Sequence, residues 1–102
     1  MKSDQYHLCK IAEEGCEIAQ RAIKAQQFGL DETQDGQQFN NLERLVGEVH
    51  DLIVTFENFL ELINREDLSR PDDRIRRARL AKMEAFLELS KSLNQVDETA
   101  VI

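Results

Sequence analysis

Apolar residues recur along most of this chain at intervals of three and four, which is the spacing of one face of an α-helix. The clearest case is a central segment, predicted to be helical from Asn40 or Asn41 to about Arg65. Its apolar positions are Leu42, Leu45, Val49, Leu52, Ile53, Phe56, Phe59, Leu60 and Ile63. The alternation of apolar and polar residues that is typical of strands is absent. The pattern therefore predicts an all-α protein.

The same spacing predicts a helix on each side of the central segment. The first helix is expected from Ser3 or Asp4, either of which can cap its N-terminus, to Gln27. The third is expected from Ser69, another capping residue, to about Leu93. The predicted fold is therefore three long antiparallel helices.

Two stretches lie outside the predicted helices. The connector between the first two helices, residues 28–39, contains two glycines, and Gly29 is expected to end the first helix in a left-handed conformation. Its apolar residues indicate that the connector folds back onto the helices. The tail, residues 96–102, is expected to be loosely ordered. Residues 1–102 together have the length of one small domain.

The charge and the length of the chain narrow the choice of partners. With 20 Asp and Glu against 13 Lys and Arg, the net charge is −7, which disfavours a nucleic acid polymer because phosphate binding needs a basic field. No apolar run is long enough to cross a membrane, and the N-terminus lacks the apolar region of a signal peptide. A short, elongated helical chain buries little of its surface. We therefore expect a bundle completed by a partner subunit.

The two cysteines of the chain help to predict its cellular compartment. Cys9 and Cys16 fall seven residues apart on one predicted helix, so their Cα atoms would be about 10 Å apart, beyond the reach of a disulfide. We expect two reduced, partly buried thiols, which fit a cytoplasmic protein.

Two pairs of acids, each spaced by three residues, are the main candidates for chemistry. Glu14 and Glu17 flank the apolar stripe of the first helix, and Glu48 and Asp51 flank that of the second in an equivalent position. Antiparallel packing of the two stripes would bring the four carboxylates together. Oxygen ligands without a supporting His or Cys suit Mg²⁺ better than zinc. The sequence therefore predicts a magnesium site.

An alternative interpretation needs no metal. Helical ion pairs at a spacing of four could engage most of the same acids, namely Lys10 with Glu14, Glu17 with Arg21 and Arg44 with Glu48. Asp51 has no such partner, since Gly47 and Thr55 stand four residues on either side.

Cations on the third helix are candidates for phosphate contacts. Lys82 falls within the apolar arc of that helix, and Arg79 lies at its edge. A lysine in that place either extends its ammonium group to solvent or meets an anion, such as a phosphate beside a metal.

The pattern Glu-Glu-x-x-Glu followed by Glu-x-x-Asp on the next helix resembles that of the MazG-like, all-α nucleoside triphosphate pyrophosphohydrolases. Here it reads Glu13-Glu14-Gly15-Cys16-Glu17 and then Glu48-Val49-His50-Asp51. The resemblance covers residues 8–57 and, more loosely, the region of Lys82.

The resemblance implies an enzyme that uses Mg²⁺, or Mn²⁺ as a substitute, to split a nucleoside triphosphate into the monophosphate and pyrophosphate. It implies a homodimer or homotetramer with the active site near a subunit interface. The metal ligands would be Glu14, Glu17, Glu48 and Asp51. Glu13 would be an auxiliary acid that orients or deprotonates water.

The other roles concern the substrate. The resemblance implies that Lys82 and Arg79 contact phosphates, with Lys82 and Glu17 counted among the catalytic residues. Phe28, Asn40 and Asn41 are suggested, by their chemistry and not by the motif, as groups that stack on or hydrogen-bond to the base.

Two other functions stay open. One is a non-catalytic, acidic helical module that binds another protein through its broad apolar arcs. The other keeps the fold and changes the substrate to phosphoribosyl-ATP or another nucleotide pyrophosphate. A panel of nucleotides distinguishes these possibilities.

Overall fold

The computed structural model describes every residue from Met1 to Ile102. It contains three α-helices and one short 3₁₀ turn, and it has no strand. The all-α prediction is therefore confirmed. The helices are α1 (Ser3–Phe28), α2 (Asn41–Leu62) and α3 (Asp73–Ser92), and the 3₁₀ turn is Glu66–Leu68. None of the helices combines the length and the apolar content needed to cross a lipid bilayer.

The start of α2 is the one predicted from its capping residues. The Asn40 side chain accepts a hydrogen bond from the backbone N–H of Glu43 at 2.8 Å. The Glu43 side chain accepts in return from the backbone N–H of Asn40 at 3.1 Å. This reciprocal pair satisfies N–H groups that have no partner inside the helix.

The other two helices start at different residues from those predicted. Lys2, and not Ser3 or Asp4, precedes the first turn of α1. Asp72, and not Ser69, caps α3, accepting from the N–H of Ile75 at 2.8 Å. Ser69 instead closes the 3₁₀ turn.

Both α2 and α3 end at an asparagine in a left-handed conformation. Asn64 and Asn94 each have φ of 58°. The N–H of the next residue in each case returns to the last helical turn, from Arg65 to the Leu60 carbonyl at 2.8 Å and from Gln95 to the Ser90 carbonyl at 3.0 Å. This 6→1 bond, with a second bond from the asparagine N–H, is the Schellman motif. In α2 this motif ends the helix at Leu62, whereas the apolar pattern predicted an end at about Arg65.

Two helices of the chain form an antiparallel pair, α1 with α2. Asn58 near the end of α2 reaches His7 near the start of α1 at 3.0 Å, whereas Asn41 at the start of α2 donates to Gly29 at the end of α1 at 2.8 Å. Contacts at both ends fix the register of the pair. Glu14, Glu17 and Glu48 lie where the two helices face each other.

The connector from α1 to α2 folds back through hydrogen bonds more than through apolar burial. Backbone N–H groups of Asn41 and Leu42 donate to the carbonyls of Glu32 and Leu30, both at 3.0 Å. Gly29 ends α1 with φ of 96° and ψ of 154°, a glycine conformation outside the left-handed helical region that was predicted. The apolar side chains of the segment stay half exposed or more: Phe28 58%, Leu30 52% and Phe39 50%.

The chain divides into two compact units, residues 1–69 and residues 70–102. The first unit contains the α1–α2 pair and the 3₁₀ turn, and the second contains α3 and the tail. The prediction that all 102 residues form one domain stays a prediction. Within the tail, the N–H of Ala100 donates to the carbonyl of Asp97 at 3.0 Å, which closes a turn.

Few residues of the chain are buried. Among apolar residues only Ala25 and Leu60 are buried, and Asn41 is the only buried polar residue. Cys9 and Cys16 are free and exposed, so the expectation of partly buried thiols is wrong. Large apolar side chains of α2 that remain exposed include Leu42, Val46, Ile53, Val54 and Leu62.

Candidate metal centre

Three of the four predicted acids meet where α1 packs against α2. One carboxylate oxygen from each of Glu14, Glu17 and Glu48 lies within 4.8 Å of the other two. All three residues are half-buried. We refer to Glu14, Glu17 and Glu48 as the acid cluster.

The helical register explains why these acids converge. Glu14 and Glu17 are neighbours on α1 because residues three apart lie on the same face of a helix. Glu48 lies on the facing side of α2, in a position fixed by the hydrogen bonds at the two ends of the helix pair. The cluster is thus a consequence of antiparallel pairing.

The electrostatics of the cluster favour added positive charge or protons. Hydrogen bonding to Glu17 is the largest effect that raises the pKa of Glu48, followed by burial and then by the charges of Glu17, Asp51 and Glu14. Burial is the largest effect that raises the pKa of Glu14, followed by the charges of Glu17, Asp51 and Glu13. Burial, hydrogen bonding and the neighbouring negative charges thus all favour the protonated forms of Glu14 and Glu48.

Two oxygens of the cluster have no donor within the chain. The Oε2 atoms of Glu14 and Glu48 are buried and make no hydrogen bond. Buried polar atoms are almost always paired, and an unpaired buried carboxylate oxygen costs free energy. A hard cation that prefers oxygen ligands would satisfy both atoms. The residues present therefore fit Mg²⁺.

The ion pairs that could have explained the acids without a metal do not form. Lys10 pairs with Glu13 at 3.1 Å and not with Glu14. Arg44 donates to Gln34 at 3.2 Å and not to Glu48. Arg21 has a buried Nη1 atom without a hydrogen-bond partner. No cation of the chain forms a salt bridge with the acid cluster.

The remaining predicted acids lie at the edge of the cluster. Asp51 is exposed, and its charge raises the pKa of both Glu14 and Glu48. It is not among the oxygens that lie within 4.8 Å of one another, because it lies one step further round α2 from the contact with α1. Glu13 is exposed and is held by its ion pair with Lys10.

The predicted phosphate-binding cations lie in the second unit. Arg79 and Lys82 are both exposed on α3. The Lys82 ammonium lies 5.8 Å from the centre of the Phe86 ring, a cation–π distance. Their predicted role in binding phosphate stays a prediction.

A pocket of about 550 Å³ lies at the C-terminal end of α1, beside the connector. Of the three suggested base-binding residues, Phe28 and Asn41 line this pocket, whereas Asn40 caps α2. Nothing in the sequence pattern pointed to the other residues of the pocket. The lining residues are Lys24, Phe28, Glu32, Thr33, Gln34, Asp35 and Asn41.

Neither a protein-family model, nor a curated protein, nor a solved structure matches this chain. The resemblance to the MazG-like enzymes therefore rests on the two acidic motifs alone.

Proposed function

We propose that this protein is a Mg²⁺-dependent nucleoside triphosphate pyrophosphohydrolase, which converts an NTP or dNTP into the monophosphate and pyrophosphate. The observation that carries the proposal is the acid cluster, with its two buried and unpaired oxygens. A role in clearing surplus or non-standard nucleotides in the cytoplasm follows from the resemblance. The free thiols of Cys9 and Cys16 fit that compartment.

The chemistry assigns a role to each acid. When bound, Mg²⁺ would neutralise polyphosphate charge and make a water molecule more acidic. Glu14, Glu17 and Glu48 would hold the ion, and Asp51 would add a fourth carboxylate from the edge. Glu13 would orient the attacking water or take its proton.

The unpaired oxygens also favour a metal over a purely structural role for the acids. A structural cluster would be expected to use the neighbouring cations Lys10, Arg21 and Arg44, which are within reach along the helices. Two of these bind other groups, and the third has a nitrogen without a partner. The absence of internal neutralisation supports an external cation.

The exposed apolar side chains support a homodimer or homotetramer. Leu42, Val46 and Ile53 on α2 are each more than 40% exposed. Monomeric proteins rarely leave extended apolar patches uncovered. A second copy of the chain would cover such side chains and complete a bundle.

The test is a nucleotide panel measured with and without Mg²⁺. The substrates are the common NTPs and dNTPs together with phosphoribosyl-ATP, and inorganic pyrophosphatase converts released pyrophosphate into phosphate for colorimetric detection. Turnover that needs Mg²⁺ and is lost in Glu48→Gln supports the proposal. Glu57→Gln is the matched control, because Glu57 is exposed and lies nine residues further along α2, on the opposite face.

A helical interaction module is the second candidate, and the exposed apolar side chains favour it. It predicts no turnover of any nucleotide pyrophosphate at high protein concentration with Mg²⁺ or Mn²⁺. It also predicts equal behaviour of Glu48→Gln and Glu57→Gln. Turnover of phosphoribosyl-ATP alone would keep the mechanism and change the substrate.

A further inference from the structure

Five polar and aromatic side chains of α1 form a line that joins the acid cluster to the pocket. They are Glu14, Glu17, Arg21, Lys24 and Phe28, spaced by three or four residues. At 100° per residue they lie within an arc of about 80°, and the line is about 21 Å long. That length suits an extended nucleoside triphosphate.

The middle of this line carries two cations without carboxylate partners. Nη1 of Arg21 is buried and unpaired, and neither Arg21 nor Lys24 takes part in a salt bridge. The Lys24 ammonium lies 5.6 Å from the centre of the Phe28 ring and lines the pocket. A buried guanidinium nitrogen without an acceptor costs free energy, and an anion would remove that cost.

The pocket at the end of the line is unsuited to phosphate. Glu32 and Asp35 place two carboxylates in its lining. The N-terminus of α2 adjoins it, but the first N–H groups of that helix are already used. Those of Asn41 and Leu42 bind connector carbonyls, and that of Glu43 binds the capping side chain.

The same pocket is suited to a planar base that carries an amino group. Phe28 supplies a ring for stacking, and the carboxylates of Glu32 and Asp35 supply acceptors. One N–H of the Asn41 Nδ2 group donates to the Gly29 carbonyl at 2.8 Å, and the carboxamide oxygen is a further acceptor. Neither Glu32 nor Asp35 takes part in a salt bridge, so both carboxylates can accept from an amino group.

We propose that the nucleotide lies along α1, with its phosphates on Arg21 and Lys24 beside the acid cluster and its base in the pocket. This inference rests on the proposed function. It adds the orientation of the nucleotide along α1 and the class of base that is bound. Bases with an exocyclic amino group, such as cytosine, bind more tightly than uracil or thymine, which present a carbonyl oxygen to the same carboxylates.

The test measures binding of nucleoside monophosphates to the full chain by titration calorimetry without Mg²⁺, so that neither metal nor turnover enters. CMP and UMP are the matched pair, since their bases differ only at C4 and N3: cytosine has an amino group and an acceptor there, and uracil has a carbonyl oxygen and an N–H. CMP is expected to bind about tenfold more tightly, the effect of roughly one hydrogen bond to a charged group. Equal affinity, or tighter binding of UMP, overturns the proposal.

Two pairs of variants test the orientation of the nucleotide along α1. Lys24→Gln is expected to weaken CMP binding about tenfold, whereas Lys10→Gln, the same change on the other side of the acid cluster, leaves it unchanged. Phe28→Leu is expected to weaken it at least about fivefold through lost stacking, and Phe39→Leu is its control. Both phenylalanines are half exposed or more, so the fold is retained.

The outcomes separate this inference from the proposed function. If Lys10→Gln loses CMP binding and Lys24→Gln does not, the proposed orientation of the nucleotide is overturned, whether or not the protein hydrolyses triphosphates. CMP binding that depends on Lys24 and Phe28 supports the inference, even where the nucleotide panel shows no turnover. In that event the hydrolase proposal fails alone.

Discussion

His7 on α1 and Asn58 on α2 are joined side chain to side chain by a hydrogen bond of 3.0 Å, although 51 residues separate them in the sequence. Nδ1 of His7 lies 2.7 Å from the Ser3 carbonyl oxygen. A carbonyl only accepts, so Nδ1 carries the hydrogen and Nε2 accepts from Asn58. The His7 imidazole thus holds the helix pair together at the end away from the connector.

The first prediction concerns this contact. Asn58→Ala is expected to lower the free energy of unfolding by about 0.5–1.5 kcal/mol, the net value of one hydrogen bond. The double variant with His7→Ala should cost less than the sum of the two single variants, because the partners share one interaction. Urea unfolding of the four proteins measures this coupling. His50→Ala, at an exposed histidine on α2, should change stability by less than about 0.5 kcal/mol.

The second prediction concerns the charge of the acid cluster. Glu48→Gln removes one of three converging carboxylates, so we expect it to raise the melting temperature of the metal-free protein by about 2–4 °C. It should also abolish stabilisation by Mg²⁺, which in the unchanged protein reaches about 2.7 kcal/mol at a hundredfold excess over Kd. Thermal melts with Mg²⁺ and with EDTA measure both effects. A lower melting temperature in EDTA would contradict the idea that the cluster repels itself.

Helical periodicity was sufficient to find the cluster. The spacing from Glu14 to Glu17, together with the position of Glu48 beside its apolar stripe, already implied that antiparallel pairing would bring them together. A helical wheel gives direction and no distance, so it does not separate Asp51 from the other three acids. Asp51 lies near enough to affect their pKa values and outside the group of closest oxygens.

The features that the sequence did not reveal depend on local backbone geometry and on a loop. The early end of α2 depends on Asn64, whose left-handed conformation stops the helix within a continuing apolar pattern. The pocket depends on backbone bonds that fold the connector onto the start of α2, which no periodicity encodes. One signal in the sequence could have indicated the pocket: Lys24 and Phe28 are four residues apart on α1, and Phe28 is followed by Gly29.

The third prediction follows from the raised pKa values of Glu14 and Glu48. A carboxyl group with a raised pKa in the folded state binds more protons folded than unfolded, so stability falls as the pH rises through that range. The metal-free protein should therefore become more stable as the pH is lowered from neutral towards the ordinary glutamate value of 4.5. Melts in EDTA across this range measure the slope, and Glu48→Gln should flatten it.

Magnesium should reverse the sign of that pH dependence. Binding of the ion requires ionised carboxylates, so its affinity should fall as the pH decreases and protons compete for the same oxygens. At a fixed Mg²⁺ concentration, the stabilisation by the ion should therefore grow with pH. A stabilisation that does not change between mildly acidic and neutral pH would argue against the acid cluster as the binding site.

The fourth prediction concerns Asn41, which links the connector to the end of α1. Asn41 is 3% exposed and its side chain donates to the Gly29 carbonyl, so Asn41→Ala leaves that carbonyl without its donor. The expected loss of stability is about 1–3 kcal/mol. Gln38→Ala, an exposed position in the same connector, should change stability by less than about 0.5 kcal/mol. Hydrogen exchange of the backbone N–H groups of Asn41 and Leu42 should accelerate in Asn41→Ala alone, because these groups bind the connector carbonyls.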